Sequence, residues 1–230
     1  MYHKADALPP GARYPGNYVL PEAFEEQIAC LAKWKYQSIT FDEWLSYREG
    51  KGKLPKRPVI ITFDDGYRST YEIAWPILRR WGFSATVFLV SKLIGKTNEW
   101  DADEKQEPLL SETEILAMLA DGASFGSHTE THAALTKVPL SSAEAELKGS
   151  RRSLEAILER PVTALCYPYA KQSEAIRNLA REAGYCAAVI GRGGVNKVRS
   201  DPFALRRIKV DTGTTIRSLR LRLAMGRLAI

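Results

Sequence analysis

The sequence predicts an α/β fold: a mainly parallel sheet of about seven strands, barrel or barrel-like, covered by helices. Three observations carry this reading. Short β-rich apolar runs alternate with helical patterns along the whole chain. No internal repeat, low-complexity tract or Pro/Ser linker divides it. With 230 residues, 45% hydrophobic and 26% charged, it suits one large α/β domain and excludes a disordered chain, a collagen-like repeat or a coiled coil. A chain this long buries roughly 70% or more of its unfolded surface and needs no disulfide staples.

Taken in order, the elements are marked by their ends. Pro21 sits at a first-turn position before a helix from Glu22 to Trp34. A weak strand at Ser38-Ile39-Thr40 precedes two buried ones, Val59 to Phe63 and Ala85 to Val90. Lys92 to Pro108 is polar, carries Trp100 and reads as a surface excursion. Ser111-Glu112-Thr113-Glu114 is a capping box opening a helix that stops near Gly122. Ala123 to Phe125 reads as a strand, and Ser141-Ser142-Ala143-Glu144 opens a helix running to about Glu159, ahead of Pro161. Val162 to Cys166 is a strand, and Gly184 closes a helix that begins near Ser173. Cys186 to Ile190 and Arg207 to Val210 complete the set.

The net charge of +6 is unevenly placed. Arg206, Arg207, Lys209, Arg217, Arg220, Arg222 and Arg227 stand against one acid, Asp211, and this segment accounts for the whole excess. The rest is balanced, which argues against nucleic acid as a partner. We divide the chain into a domain over 1–212 and a basic amphipathic helix or tail over 213–230. Such a tail either lies peripherally on an anionic membrane surface or docks on the barrel. Cys30, Cys166 and Cys186 cannot all pair and fit neither CxxC nor a zinc-finger pattern. With no apolar leader visible at Met1 and no window of about 18 apolar residues, the expectation is a cytoplasmic protein, peripheral at the inner membrane if the tail binds there.

Three segments at strand ends can carry chemistry, because parallel α/β folds place their sites there. Thr62-Phe63-Asp64-Asp65-Gly66 sets two carboxylates side by side, which repel each other unless a metal ion takes one and leaves the other as a base. Asp-Asp-Gly is also good exposed-turn chemistry. In Ser127-His128-Thr129-Glu130-Thr131-His132, two of the three histidines in the chain stand four apart, a spacing that brings them to one face of a helical turn. Surface or core histidines are the plainer alternative. Asp65, His128 and His132 together make a two-His-one-carboxylate set with coordination positions left open, as catalytic metal sites have. Leu165-Cys166-Tyr167-Pro168-Tyr169-Ala170 is a turn able to aim a backbone N–H and aromatic walls at a ligand, or simply to pack.

These motifs, in this order and spacing, resemble the polysaccharide deacetylases related to NodB (carbohydrate esterase family four). The opening Met1-Tyr2-His3, with Tyr18-Val19 and Phe24-Glu25-Glu26-Gln27-Ile28, is similar to the branch that deacetylates poly-N-acetylglucosamine. The resemblance runs from His3 to about Val210 and implies a distorted (β/α) barrel. It implies one divalent metal ion, zinc by default with cobalt or nickel also suited, held by Asp65, His128 and His132. Asp64 is then the general base for the attacking solvent, and the backbone N–H of Tyr169 helps hold the oxyanion. Tyr167, Pro168 and Arg206 are candidate substrate-binding residues.

The sequence departs from the family in its acid and in its tether for the base. Many members carry the general acid in a late Leu-x-x-His motif, but here that segment is Leu205-Arg206-Arg207-Ile208. His3 occupies the place where the poly-N-acetylglucosamine branch carries a histidine, and is the candidate acid. Many relatives also have an Arg at Cys166 that orients the catalytic Asp; Arg206 or Arg207 is the candidate stand-in. The implied activity is removal of N-acetyl groups from an amino sugar in a polysaccharide, oligosaccharide or glycolipid. The alternatives are deacetylation or deformylation of a lipid-linked sugar precursor, and a catalytically inert carbohydrate-binding relative.

Overall fold

Five short strands form one parallel sheet: β5 (Thr62–Phe63), β6 (Thr86–Leu89), β7 (Ser124–Ser127), β8 (Ala164–Cys166) and β9 (Ala187–Val189), adjacent in that order. The computed structural model describes residues 1–191 and 193–224. Pairs such as Val87 with Phe125 and Leu165 with Ala188 set the register. All five point the same way, so their carboxyl ends share one face, where Asp64, His128 and Tyr167 follow directly. Earlier in the chain lie two small parallel pairs: β1 (Lys4–Ala5) with β2 (Tyr18–Val19), and β3 (Gln37–Ser38) with β4 (Pro58–Val59).

The expected seven-strand barrel is therefore not formed as one continuous sheet. The apolar run Val59 to Phe63 divides because its first half pairs with β3 and its second half with β6. Beyond the five strands, Tyr2 bridges to Phe63 at one edge and Leu205 to Val189 at the other. Arg207 to Val210 is not a strand; it meets the start of the chain, where the Met1 nitrogen donates to the Ile208 carbonyl at 2.9 Å and Val210 N–H donates to the Met1 carbonyl at 3.0 Å.

Helices follow local signals. α1 (Pro21–Lys33) starts on Pro21, and α4 (Glu112–Ala120) uses the Ser111–Glu114 capping box. α6 (Glu174–Glu182) is capped by Ser173 Oγ on Ile176 N–H. α2 (Phe41–Arg48), which the sequence reading left unassigned, opens on a second capping box between Thr40 and Glu43. A π-helical turn at Thr70–Ala74 leads into α3 (Trp75–Arg80). α5 (Leu140–Leu158) begins after Pro139 with no side-chain cap, so Ser141 lies inside it. α7 (Ile216–Ala224) buries Leu219 and Leu223 in the main core beside α1, and Arg220 lies over the Trp34 ring at 5.7 Å. Met225, Arg227, Leu228 and Ile230 lie outside the described residues, and among those described no helix is long and apolar enough to cross a membrane.

Two features fix the segment that carries His3. Tyr2, Phe24 and Phe63 pack ring to ring with centroids 5.0 to 5.7 Å apart, and the Tyr2 hydroxyl donates to Gln27 Oε1 at 2.9 Å. Next along, buried Lys4 donates to the Tyr18 hydroxyl at 2.9 Å, pairs with Glu107 and lies 4.3 Å from the centroids of both the Tyr18 and Tyr67 rings. Burial works to raise the Glu107 carboxyl, but hydrogen bonds from Lys4 and Tyr18 and the Lys4 charge hold it below its ordinary value. This pair ties β1 to the 92–108 excursion. Lys4→Met leaves the Glu107 carboxylate with only the exposed Lys105 ammonium and the Tyr18 hydroxyl, and is expected to cost about 3 kcal/mol in urea unfolding, partly recovered by adding Glu107→Gln.

Candidate active site

The turn after β5 is buried, not exposed: Asp64 and Asp65 are only 4% and 5% accessible. Asp64 N–H donates to the Tyr2 carbonyl at 3.0 Å, continuing the edge bridge. Asp65 then takes a left-handed backbone with φ of 74°, as does Gly66. A Cβ at position 66 would lie 2.8 Å from Leu89 Cδ2, so only glycine fits this turn. The result sends the two neighbouring carboxylates to different partners.

Asp65 meets the histidines. Its Oδ1 lies 3.3 Å from His128 Nε2 and 3.5 Å from His132 Nε2. The helical turn expected for these histidines is absent; residues 128–134 are a loop after β7. Left-handed backbone at Thr129 (φ 69°) and His132 (φ 64°) folds the loop back so that both rings converge, 4.8 Å apart. Glu146 of α5 clamps it, accepting from Glu130 N–H, Thr131 N–H and the Thr131 hydroxyl at 2.9, 3.0 and 2.6 Å.

The donor chemistry fits a cation here. His128 Nδ1 stands 2.7 Å from the Cys166 carbonyl, an acceptor only, so Nδ1 carries the proton there. Nε2 then faces the Asp65 carboxylate at 3.3 Å, and the two come together only around a positive charge. Burial opposes that charge on the ring, yet Cys166 and Asp65 hold the imidazole's proton affinity well above its ordinary range, and a cation can stand in the proton's place. Burial opposes charge on Asp65, yet the two imidazoles hold its carboxyl well below the usual range. A second cluster, Asp64, His128 and Cys166, is equally tight. It is the poorer metal set, because a guanidinium already occupies its acidic side.

That guanidinium is Arg207. Its Nη1 and Nη2 donate to Asp64 Oδ1 and Oδ2 at 2.6 and 2.7 Å, a bidentate pair with both side chains buried. Arg207 also donates to Thr62 Oγ1 and the Ile190 carbonyl, and its Nη2 lies 3.1 Å from Cys166 Sγ. Burial pushes the Asp64 carboxyl up, but the Arg207 charge and hydrogen bonds prevail and hold it at about 2. Of the two candidate arginines, Arg207 therefore takes the tethering position, reaching Asp64 from beside the smaller Cys166. Arg206 faces the other way, exposed on the wall of the cleft.

A cleft of about 1000 Å³ opens over these groups. His3 lines it, with a buried Nδ1 that has no hydrogen-bond partner among the described residues. Burial lowers the imidazole's proton affinity, against the pull of Asp65 and Asp64. Tyr169 is half exposed with φ of 57°, and its ring lies 4.7 Å from that of His132. Tyr167 is buried with its hydroxyl on the Phe203 carbonyl at 3.2 Å, and Pro168 is buried and does not line the cleft. The sequence reading did not place Trp100 at the site. The excursion folds over so that its ring stands 4.5 Å from His132.

Residues 51–188 match the sequence model of the polysaccharide deacetylase family. The chain belongs to that family. All four of Asp64, Asp65, His128 and His132 fall within the matched stretch, whereas His3 and Arg207 lie outside it. The poly-beta-1,6-N-acetyl-D-glucosamine N-deacetylase of Staphylococcus epidermidis is 34% identical over 69% of this chain. The match takes in 56% of that relative, so this chain spans a little over half its length. Among solved structures, the polysaccharide deacetylase BC0361 of Bacillus cereus superposes with a TM-score of 0.81 and 26% identity, over 97% of this chain and 67% of that one. The fold is shared with Streptococcus pyogenes deacetylase PplD in complex with acetate, at a TM-score of 0.85 and 23% identity over 97% and 96% of the two chains.

Arg207→Gln leaves Asp64 buried without its counter-charge, and the expected loss is about 3 kcal/mol of unfolding free energy. Arg207→Lys keeps the charge but not the second parallel hydrogen bond, so it should fall between the two in chemical denaturation.

Proposed function

We propose that this protein is a metal-dependent amide hydrolase that removes N-acetyl groups from an N-acetylated amino sugar in a polysaccharide, oligosaccharide or glycolipid. The observation that carries it is the division of labour between adjacent carboxylates: Asp65 converges with two imidazoles on a cation site, while Asp64 stays apart on Arg207.

Asp65, His128 and His132 would hold one divalent ion, zinc by default with cobalt or nickel also suited to this N/O set. Bound there, the ion polarises the amide carbonyl and makes solvent more acidic. Asp64, ionised throughout the physiological range, accepts the proton of the attacking water. Both its oxygens rest on Arg207, which keeps the carboxylate from turning away, and further lone pairs remain on each oxygen. The backbone N–H of Tyr169 would help hold the oxyanion. His3 protonates the departing amine. Desolvation makes its imidazolium a stronger acid, which favours giving the proton up.

Loaded with zinc, cobalt or nickel, the chain should release acetate from an N-acetylglucosamine oligomer, and a chelator should abolish it. Absence of release from fully loaded protein overturns the reading. His128→Ala is expected to lose metal stoichiometry in elemental analysis. Asp64→Asn and His3→Ala should retain metal while turnover drops roughly 100-fold or more. Unchanged turnover in His3→Ala with metal bound removes His3 from the mechanism.

A further inference from the structure

One wall of the cleft is basic in a way that deacetylation of a neutral sugar does not require. Arg206, Lys209 and Arg222 line the same cleft as His3, Asp64 and Asp65. Among the described residues none of the three makes an ion pair. Arg206 is held only through its backbone, by Asn196, and Arg222 donates to the Lys209 carbonyl at 2.8 Å. Elsewhere, Arg68, Arg79, Arg80 and Arg151 all have carboxylate partners. The cleft's own acids do not offset the basic wall: Asp64 is already matched by Arg207 and Asp65 faces the cation site, which leaves Asp101. Aromatic rings of Tyr14, Trp100 and Tyr169 also line it and suit the faces of sugar rings.

We propose that the substrate carries a phosphoryl group on or next to the N-acetylated sugar, seated on Arg206, Lys209 and Arg222. This rests on the deacetylase reading and names the substrate class within it. Guanidinium forks match phosphate oxygens with paired hydrogen bonds, and an ammonium adds a point charge. A neutral homopolymer offers these groups nothing. A partly deacetylated one carries ammonium groups that they repel.

The test compares an N-acetylglucosamine oligomer with the same oligomer bearing a phosphodiester, using metal-loaded protein. The phosphodiester should raise kcat/KM about tenfold or more at low salt, and the preference should shrink at high salt. In Lys209→Gln/Arg222→Gln the preference should fall towards one. A second, binding readout is calorimetry with N-acetylglucosamine 1-phosphate against N-acetylglucosamine. The phosphate should bind more tightly to the native chain and lose that advantage in the double variant. A dodecyl phosphodiester of the same sugar, compared with the oligosaccharide diester, tells a lipid-borne phosphate from a glycan-borne one by which is turned over faster. Acetate release with no phosphate preference in either readout overturns this inference alone. Phosphate-dependent binding without acetate release from any substrate overturns the deacetylase reading and leaves the anion site standing.

Discussion

Two buried carboxylates on consecutive residues are the constraint around which the rest is arranged. Each must be neutralised by a different partner, or both cannot stay ionised without water. The left-handed backbone at Asp65 and Gly66 separates them: Asp64 turns to Arg207 and Asp65 to the two imidazoles. Arg207 arrives from the far end of the domain, so closure between the first and last segments sets the partner of Asp64 as well as the fold. The hydrogen bonds joining Met1 to Ile208 and Val210 stand at that seam, with His3 two residues along.

The site is also where the backbone departs from its preferred conformations. Among the described residues seven non-glycine residues have positive φ, and five of them, Asp65, Thr129, His132, Tyr169 and Ala170, lie at or beside the candidate cation site. Such conformations cost on the order of 1–3 kcal/mol each and persist only where the surroundings over-determine them. Here the Glu146 clamp, the Ser127–Ser150 hydroxyl contact at 2.6 Å and the Lys92–Glu130 pair supply that determination for the histidine loop. Helix α5 thus buttresses the loop that carries His128 and His132.

What the sequence made legible was linear. Asp64, Asp65, His128 and His132 sit in short motifs directly after apolar strands, and those strands formed as expected from β6 to β9. The helical turn for His128 and His132 was a wrong geometry reached from a right spacing, because left-handed φ at Thr129 and His132 has no signature in residue type. Choosing between Arg206 and Arg207 was beyond sequence alone: Leu205 and Arg207 turn inward, but the alternation slips at Ile208, so the segment has no single period. Trp100 was visible as an aromatic in a polar stretch, yet nothing local says that this stretch folds back over His132. The strand count failed where one apolar run served two different neighbours.

The charge layout of the cleft bears on what the proposed reaction would consume and produce. Deacetylation converts a neutral amide into an amine that is cationic near neutral pH, and releases acetate. A wall bearing Arg206, Lys209 and Arg222 has no quarrel with the neutral amide but is unfavourable to the ammonium that replaces it. On the proposed reading, the cleft would favour a neutral sugar with any attached oxyanion over the product amine. Because Asp64 is already matched by Arg207, its carboxylate would not cancel that difference. The Arg207–Asp64 pair thus also leaves Arg206, Lys209 and Arg222 without a carboxylate partner among the described residues.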